Sequence, residues 1–570
     1  MWQTAKCGKG MLPRYSRRSD SGFRKIIYTL CFVAFCVIDQ IKGSADGRIQ
    51  MTAVNCMGLL MAAIILSAYS LKDFLKLPYY IWTGVFLVGG TLAYLWGKTN
   101  YPYQGRWLTA VLNVGIYGYI LIRLFYRFMV EKQMLHVGKP LFCVWCIMLV
   151  CMMLSRNEAV WPLWFLVMFG SFYVTDYTPE TRKALFDSMI NGVLIGFFLI
   201  QGAAFVFRPF DNMRYPGMYA NANINVLFYA ITYGAWLCKW YQLKYRRAKL
   251  FLRGLTACFS GAMIGFAFLT IGRAGLLTMA VTTLVFLIYC AVTLPDHRIA
   301  RFFGNGILIV AAAVLSFPLV FGCVRYIPAY FHHPIWFEGE YSEYKVHSWD
   351  PVDSEKYVDF EEFLQQSLGR VLWFVDFSKK EVREWLRPSL IVYAEETGAA
   401  EQGGELTDYD PLAGTGIDEQ HPVLTDPEEI SNPVAIRTAI HKYYLERLNL
   451  RGHKDEENGF WLTEGYYAPH AHNLLLQLAF NFGIIPAGLF AGIAIYAVCK
   501  AGWEAKRRKM QPVLQYLLLP IVFTVILFSF GMLEIDWRIG QNSLTLYFVC
   551  MAVIMHDGSE KDHLGETVMG

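Results

Sequence analysis

Long apolar runs alternate with short polar joints along most of this 570-residue chain. A segment needs about 20 predominantly apolar residues to cross a hydrocarbon core. Runs of that kind lie near 26–42, 49–70, 79–97, 107–127, 139–154, 159–175, 184–207, 219–238, 252–271, 274–294, 304–324, 472–499, 512–533 and 538–555. The pattern predicts an all-α polytopic membrane protein with about 14 transmembrane helices. The count falls to about 12 if the short run at 139–154 and the long one at 472–499, which carries Pro486, are read differently.

The alternation is interrupted once, over residues 325–470, where a large loop of partly helical character is expected. Within it, Phe360, Phe363, Leu364, Leu368, Leu372 and Trp373 give 355–387 an amphipathic helical pattern suited to an interface. Residues 394–430 are rich in Glu, Asp, Gly and Pro and have no periodicity. The segment 433–449 reads as a helix, with Ser431 or Asn432 as its cap and Pro433 in its first turn.

Charge turns this hydropathy map into a topology. Positioned with the N-terminus inside, the inner joints and adjoining span ends hold 29 Lys and Arg, against 9 on the short outer side. The remaining 13 lie in the long loop, which is exempt because long loops translocate regardless of charge. Both termini are therefore expected in the cytoplasm and the loop outside. The basic N-terminus (Lys6, Lys9, Arg14, Arg17, Arg18, Arg24, Lys25) reads as the flank of an uncleaved anchor. The organisation is then a tail at 1–25, N-terminal spans at 26–183, central spans at 184–324, the loop at 325–470, C-terminal spans at 471–555 and a tail at 556–570.

Composition agrees: 55% of the residues are hydrophobic and 17% charged, below the roughly 25% usual for soluble domains. The 13 cysteines are scattered through apolar runs, with no disulfide framework. Cys143 and Cys146 form a CxxC inside a predicted span, where they read as small apolar fillers.

The orientation collects unusual polar groups at the outer ends of spans. Arg214 lies in RPFDNMRYPGMYANANINVLFYA, Arg273 in the tight joint LTIGRAGLLTM, and Arg437 on the predicted loop helix. His470 and His472 stand where the loop re-enters the membrane, in YYAPHAHNLLLQLAFNFGIIPAGLF. Each also has an ordinary reading. Arg214 could snorkel and Arg437 could be solvated surface. The histidines could be half of a metal site, though no further ligand stands nearby in sequence. Arg273 has almost no loop around it, and an arginine at that depth calls for a buried partner. Asn221, Asn223 and Asn473 could be helix caps or could orient a substrate. Trp336, Trp349, Trp461, Tyr466 and Tyr467 fit interfacial anchors or sugar-stacking groups.

Taken together, these segments resemble the O-antigen ligase and O-antigen polymerase superfamily of bacterial surface-polysaccharide enzymes. HAHNLLLQLAFNFGIIPAGLF is similar to the family's His-Asn, leucine-rich signature after a long external loop, with Pro486 and Ala487 displacing its second small residue. GRAGLLTMA resembles its small-Arg-small opening of a span, with Gly272 where serine is common. RYPGMYANANINVLF resembles its Arg-x-x-Gly…Asn-x-Asn segment, and IRTAIHKYYLERLNLRGH its arginine-bearing loop helix. The likeness covers about residues 185–500, while the earlier spans match only in hydropathy.

The resemblance implies an inverting, metal-independent glycosyltransferase acting on the outer face of the cytoplasmic (inner) membrane, as ligase or polymerase and needing no cofactor. Its donor would be a polyprenyl-diphosphate-linked saccharide, its acceptor a glycan or lipid hydroxyl, and its surroundings membrane lipids; nucleic acid is not an expected partner. His472 would be the catalytic base and His470 its reserve or orienting partner. Arg214, Arg273 and Arg437 would hold the diphosphate, a role that suits the forked guanidinium. The competing class is a transporter or flippase for lipid-linked saccharides, which would carry charges deep along several spans.

Overall fold

The computed structural model describes residues 15–40, 77–100, 139–157, 179–208, 214–219, 222–294, 297–331, 433–454, 457–463, 466–468, 470–507, 513–534 and 541–555, with isolated positions between them. The expected span at 49–70 and the loop segment 394–430 lie outside the described residues. Those at 107–127 and 159–175 are described only at scattered helical positions.

Among the described residues thirteen helices form, all but the loop helix α9 along the apolar runs: α1 (Tyr15–Gln40), α2 (Leu77–Asn100), α3 (Lys139–Met153), α4 (Pro179–Phe207), α5 (Ala222–Tyr245), α6 (Leu250–Leu269), α7 (Arg273–Thr293), α8 (Arg298–Phe331), α9 (Pro433–Glu446), α10 (Leu474–Phe482), α11 (Ile484–Arg507), α12 (Leu514–Gly531) and α13 (Gln541–Met555). A two-stranded antiparallel hairpin, β1 (Phe460–Thr463) with β2 (Tyr466–Ala468), pairs Phe460 with Ala468.

Among the described residues six helices are long and apolar enough to cross a membrane: most of α4, α6, α7, most of α8, α11 and α12. Except on α12, which is mostly buried, their apolar side chains are only partly covered by protein. On α8, Ile307, Val310, Val314, Leu315 and Leu319 face outward, as they would toward lipid.

α5 sits at the centre, against α4, α6, α7 and α12. Because protein covers most of its surface, it tolerates Asn225, Thr232 and Gln242 in buried positions, and it is less apolar than its neighbours. The aromatic rings of Phe197, Tyr229 and Phe266 interlock between α4, α5 and α6. α1 packs closely along α4. A Cβ at Gly192 would fall 2.4 Å from that of Phe32, so the glycine is what permits the approach.

Polar contacts between helices gather at two ends of this bundle. At one end Lys25 pairs with Asp187, Gln242 donates to Asp187, and Arg246 donates to Gln515. α9, the hairpin and α10 lie at the other, called here the loop end.

The run at 472–499 is not one helix. α10 stops at Phe482, the chain turns at Gly483 (φ +97°), and α11 begins at Ile484. A Cβ on Gly483 would lie 2.2 Å from the Leu450 carbonyl oxygen, so backbone crowding and the left-handed φ both demand glycine there. Pro486 consequently falls in the first turn of α11, where its missing N–H removes no helical bond.

The loop helix expected over 433–449 is present as α9, while Ser431 and Asn432 lie outside the described residues. Ile440 and Tyr444 of α9, Phe460 and Leu462 of β1, and Leu476 and Phe480 of α10 form a small core of their own. Of the segment 355–387, Phe360 and Phe363 are helical and pack against Phe317 and Phe321 of α8. Phe363 is fully buried, so this part of the segment docks on protein through its aromatic face. Leu368, Leu372 and Trp373 are outside the described residues.

Candidate active site

The site is built from two halves at the loop end. The first surrounds the turn between α6 and α7. Thr270 closes that turn: its hydroxyl donates to the Ala267 carbonyl and accepts from the Gly272 N–H. Ile271 is held at φ +50°, an uncommon conformation for a β-branched residue. The chain between α4 and α5 passes over it, with the Tyr215 N–H donating to the Leu269 carbonyl at 2.9 Å. Arg214 is anchored there, its Nε donating to the Thr270 carbonyl at 3.0 Å and a terminal nitrogen to Asn223 Oδ1. Asn223 thus holds an arginine in place; Asn221 lies outside the described residues.

Arg273 departs from expectation. It is exposed, and among the described residues it has no hydrogen bond or ion pair, so the buried partner expected from its apolar flanks is not found. The reason is that α7 begins at Arg273 itself, after Gly272. Its side chain leaves from the helix rim, not from within the apolar length. That rim carries the positive end of the helix dipole, and Arg273 adds a second positive charge to it.

The second half centres on Glu534, just beyond the end of α12. One carboxylate oxygen accepts from Arg437 at 2.7 Å, and Arg437 also donates to the Leu533 carbonyl at 2.8 Å. The other lies 3.8 Å from His472 Nδ1. That nitrogen is buried and has no hydrogen bond among the described residues. His472 adopts φ +48°, a left-handed conformation that costs a non-glycine residue about 1 kcal/mol or more.

Neighbours on both sides hold that strained turn. The Ala471 N–H donates to Gln477 Oε1, and the buried Gln477 amide in turn donates to Asn458 and Asn481. Asn473 is the N-cap of α10, its Oδ1 accepting from the Leu476 N–H at 3.0 Å, as an asparagine there should. Its amide donates to the Met532 carbonyl at 3.2 Å. Asn473 is therefore a cap and a tether to α12 at once.

His472 is pushed down to about 4, first by burial and then by the positive charge of Arg437, with His441 adding to the effect and the Glu534 backbone opposing it. The imidazole is neutral through the physiological range, able to take a proton but a weaker base than usual. His441, one turn along α9 from Arg437, is also shifted down by burial and by that guanidinium. His470 packs beside His472, ring centroids 4.1 Å apart, and its Nδ1 accepts from the His472 N–H. That contact suits an orienting partner.

The two halves are carried by α7 and α12, which pack against each other. These helices run antiparallel: Ser529 donates to Thr278 toward the loop end and Tyr289 donates to the Leu514 carbonyl toward the other. Arg273 lies five residues before Thr278 and Glu534 five after Ser529, or about 7.5 Å of rise in the same direction if both continue as helix. Arg273 and Glu534 therefore stand at similar heights at the ends of these two helices.

Sequence reasoning missed several residues here. Glu534 sits in a short joint between two runs and carries no motif. Arg208 is buried and donates to the Gly217 carbonyl at 2.7 Å, and Arg325 is buried near the end of α8; both read as span flanks. Trp461 lies on β1, while Trp336 and Trp349 are outside the described residues. Among the described residues no group of three or more His, Cys, Asp or Glu side chains could hold a metal ion.

No family model, curated protein or solved structure matches this chain.

Proposed function

We propose that the protein is a membrane glycosyltransferase of the O-antigen ligase-like class, acting as ligase or polymerase on the outer face of the cytoplasmic membrane. The donor is a polyprenyl-diphosphate-linked saccharide and the acceptor a hydroxyl on a glycan or lipid. The observation that carries this reading is the position of His472, a largely shielded, neutral imidazole that faces one oxygen of Glu534 while Arg437 holds the other.

The step balances without a cofactor. The acceptor oxygen forms a bond to the anomeric carbon and gives its proton to His472. The bond from that carbon to the diphosphate breaks, and its electron pair leaves with the diphosphate. One displacement inverts the anomeric configuration. Arg214, Arg273 and Arg437 bind the diphosphate and stabilise the charge that grows on it, the part a divalent metal plays elsewhere. His470 orients His472, Asn223 orients Arg214, and Asn473 fixes the turn that carries the base.

The topology read from the charged joints supports this reading, with both termini cytoplasmic and the loop end outside. A transporter or flippase would need charges along the length of several spans. Asp187 is instead engaged by Lys25 and Gln242 at the end of the bundle opposite His472.

The test is to delete the gene and analyse surface glycans together with lipid-linked intermediates, then complement with wild type or His472→Ala. Loss of polymer with single repeat units points to a polymerase, and full-length chains stranded on lipid point to a ligase. Unchanged glycans, or full complementation by His472→Ala, would sink the proposal.

A further inference from the structure

Glu534 occupies a position that the glycosyl-transfer reading leaves without a role. One oxygen is bonded to Arg437 at 2.7 Å and the other faces His472 Nδ1 at 3.8 Å, so a single carboxylate stands between the diphosphate-binding guanidinium and the base. Both Glu534 and His472 are largely shielded from water, and Arg437 about two-thirds so. Charge rearrangements among them are therefore weakly screened.

Arg437 gives one terminal nitrogen to Glu534 and the other to the Leu533 carbonyl, so a diphosphate that takes both must displace the carboxylate. The Nδ1 of His472 is buried and lacks a hydrogen bond among the described residues, and the nearest carboxylate oxygen lies just outside bonding distance. A movement of about 1 Å would bring it into hydrogen-bond range.

We propose that Glu534 is a displaceable counter-ion. The donor diphosphate takes over Arg437, and the released carboxylate moves onto His472 Nδ1, fixing the tautomer in which Nε2 accepts the acceptor proton. This rests on the diphosphate role of Arg437 proposed above. Glu534 is a positioning residue in this account: it acts through Arg437 and His472 and does not touch the reacting atoms. In the donor-free state Arg437 is masked and His472 is a poor base; donor binding reverses both. Premature attack by water on a partly bound donor is thereby disfavoured.

The prediction is a split that a merely structural residue would not give. Inorganic diphosphate binding to the full-length protein in nanodiscs is measured by calorimetry for wild type, Glu534→Gln and Arg437→Ala. Glu534→Gln should bind diphosphate about fivefold more tightly, because a neutral amide competes less well for the guanidinium. Its kcat for transfer should fall at least about tenfold, because the base loses its carboxylate. Equal or weaker diphosphate binding, or an unchanged kcat, overturns the proposal.

If Glu534→Gln does not purify as wild type does, Glu534→Asp takes its place. The shorter side chain reaches Arg437 less well, so tighter diphosphate binding than wild type is again expected and weaker binding overturns the idea. Wild type and Arg437→Ala binding diphosphate alike would instead strike at the diphosphate role of Arg437 itself. Diphosphate binding that depends on Arg437 but not on Glu534 would defeat only the counter-ion.

Discussion

Asn473 and Met532 lie 59 residues apart in sequence, yet the asparagine amide donates to the methionine carbonyl at 3.2 Å. The start of α10 is thereby pinned to the end of α12, and His472 and Glu534 are brought face to face. Asn473→Asp keeps the cap but loses the donated bond to α12. Thermal unfolding should move little, while transfer should drop about tenfold through misplacement of the base. Asn473→Ala loses the cap as well and should cost about a further 1 kcal/mol in stability. An Asn473→Asp protein with full activity would show that the tether is dispensable.

The depressed His472 gives two signatures in pH. Transfer requires the neutral imidazole, so kcat/KM should hold down to about pH 4, the folded-state value, and fall below it. Stability follows by linkage. The unfolded chain binds the proton near the ordinary value of 6.5 and the folded chain only near about 4, so the unfolded state holds more protons in between. The folded state therefore loses stability as pH falls through that window, by at most about 3 kcal/mol. His472→Ala should flatten this part of the stability curve and reduce transfer by about a hundredfold or more. A kcat/KM midpoint near 6.5, or a wild-type stability curve that His472→Ala leaves unchanged between 6.5 and about 4, would contradict the burial argument.

The arginines should be separable by substitution. Ala at Arg214, Arg273 or Arg437 should each lower kcat/KM by about a hundredfold, and Lys should restore little at Arg214, where two forked donors are used. Chelators should leave activity unchanged. Reversible inhibition by a chelator, restored by a divalent metal, would end the arginine-only account.

Topology is open to a direct assay. A reporter inserted near residue 400 should score as external in the intact cell. A cytoplasmic signal would reverse the orientation of the whole site.

Much of this arrangement was legible in the chain. The apolar runs located the helices, and the joint LTIGRAGLLTM is indeed a tight turn closed by Thr270. Pro433 marked the start of α9, and the family-like segments named His472 and Arg437. The break at Gly483 was hidden because α10 and α11 are both apolar, and hydropathy carries no record of direction; Pro486, in place for a first turn, was the readable sign. Arg273 was misjudged because an apolar window counts neighbours but does not say where a helix begins. Glu534 was invisible for a deeper reason. Its partner Arg437 lies 97 residues away, and a lone acid in a short joint acquires meaning only when the fold closes.

The enclosure of α5 bears on how the protein is made. A segment bearing Lys239, Gln242 and Lys244 has less affinity for lipid than its neighbours. Part of its shelter comes from α12, where Val522 and Ile526 press on Gly234, and α12 is synthesised roughly 280 residues later. The newborn chain must therefore wait, with its most polar central helix incompletely covered, until α12 arrives.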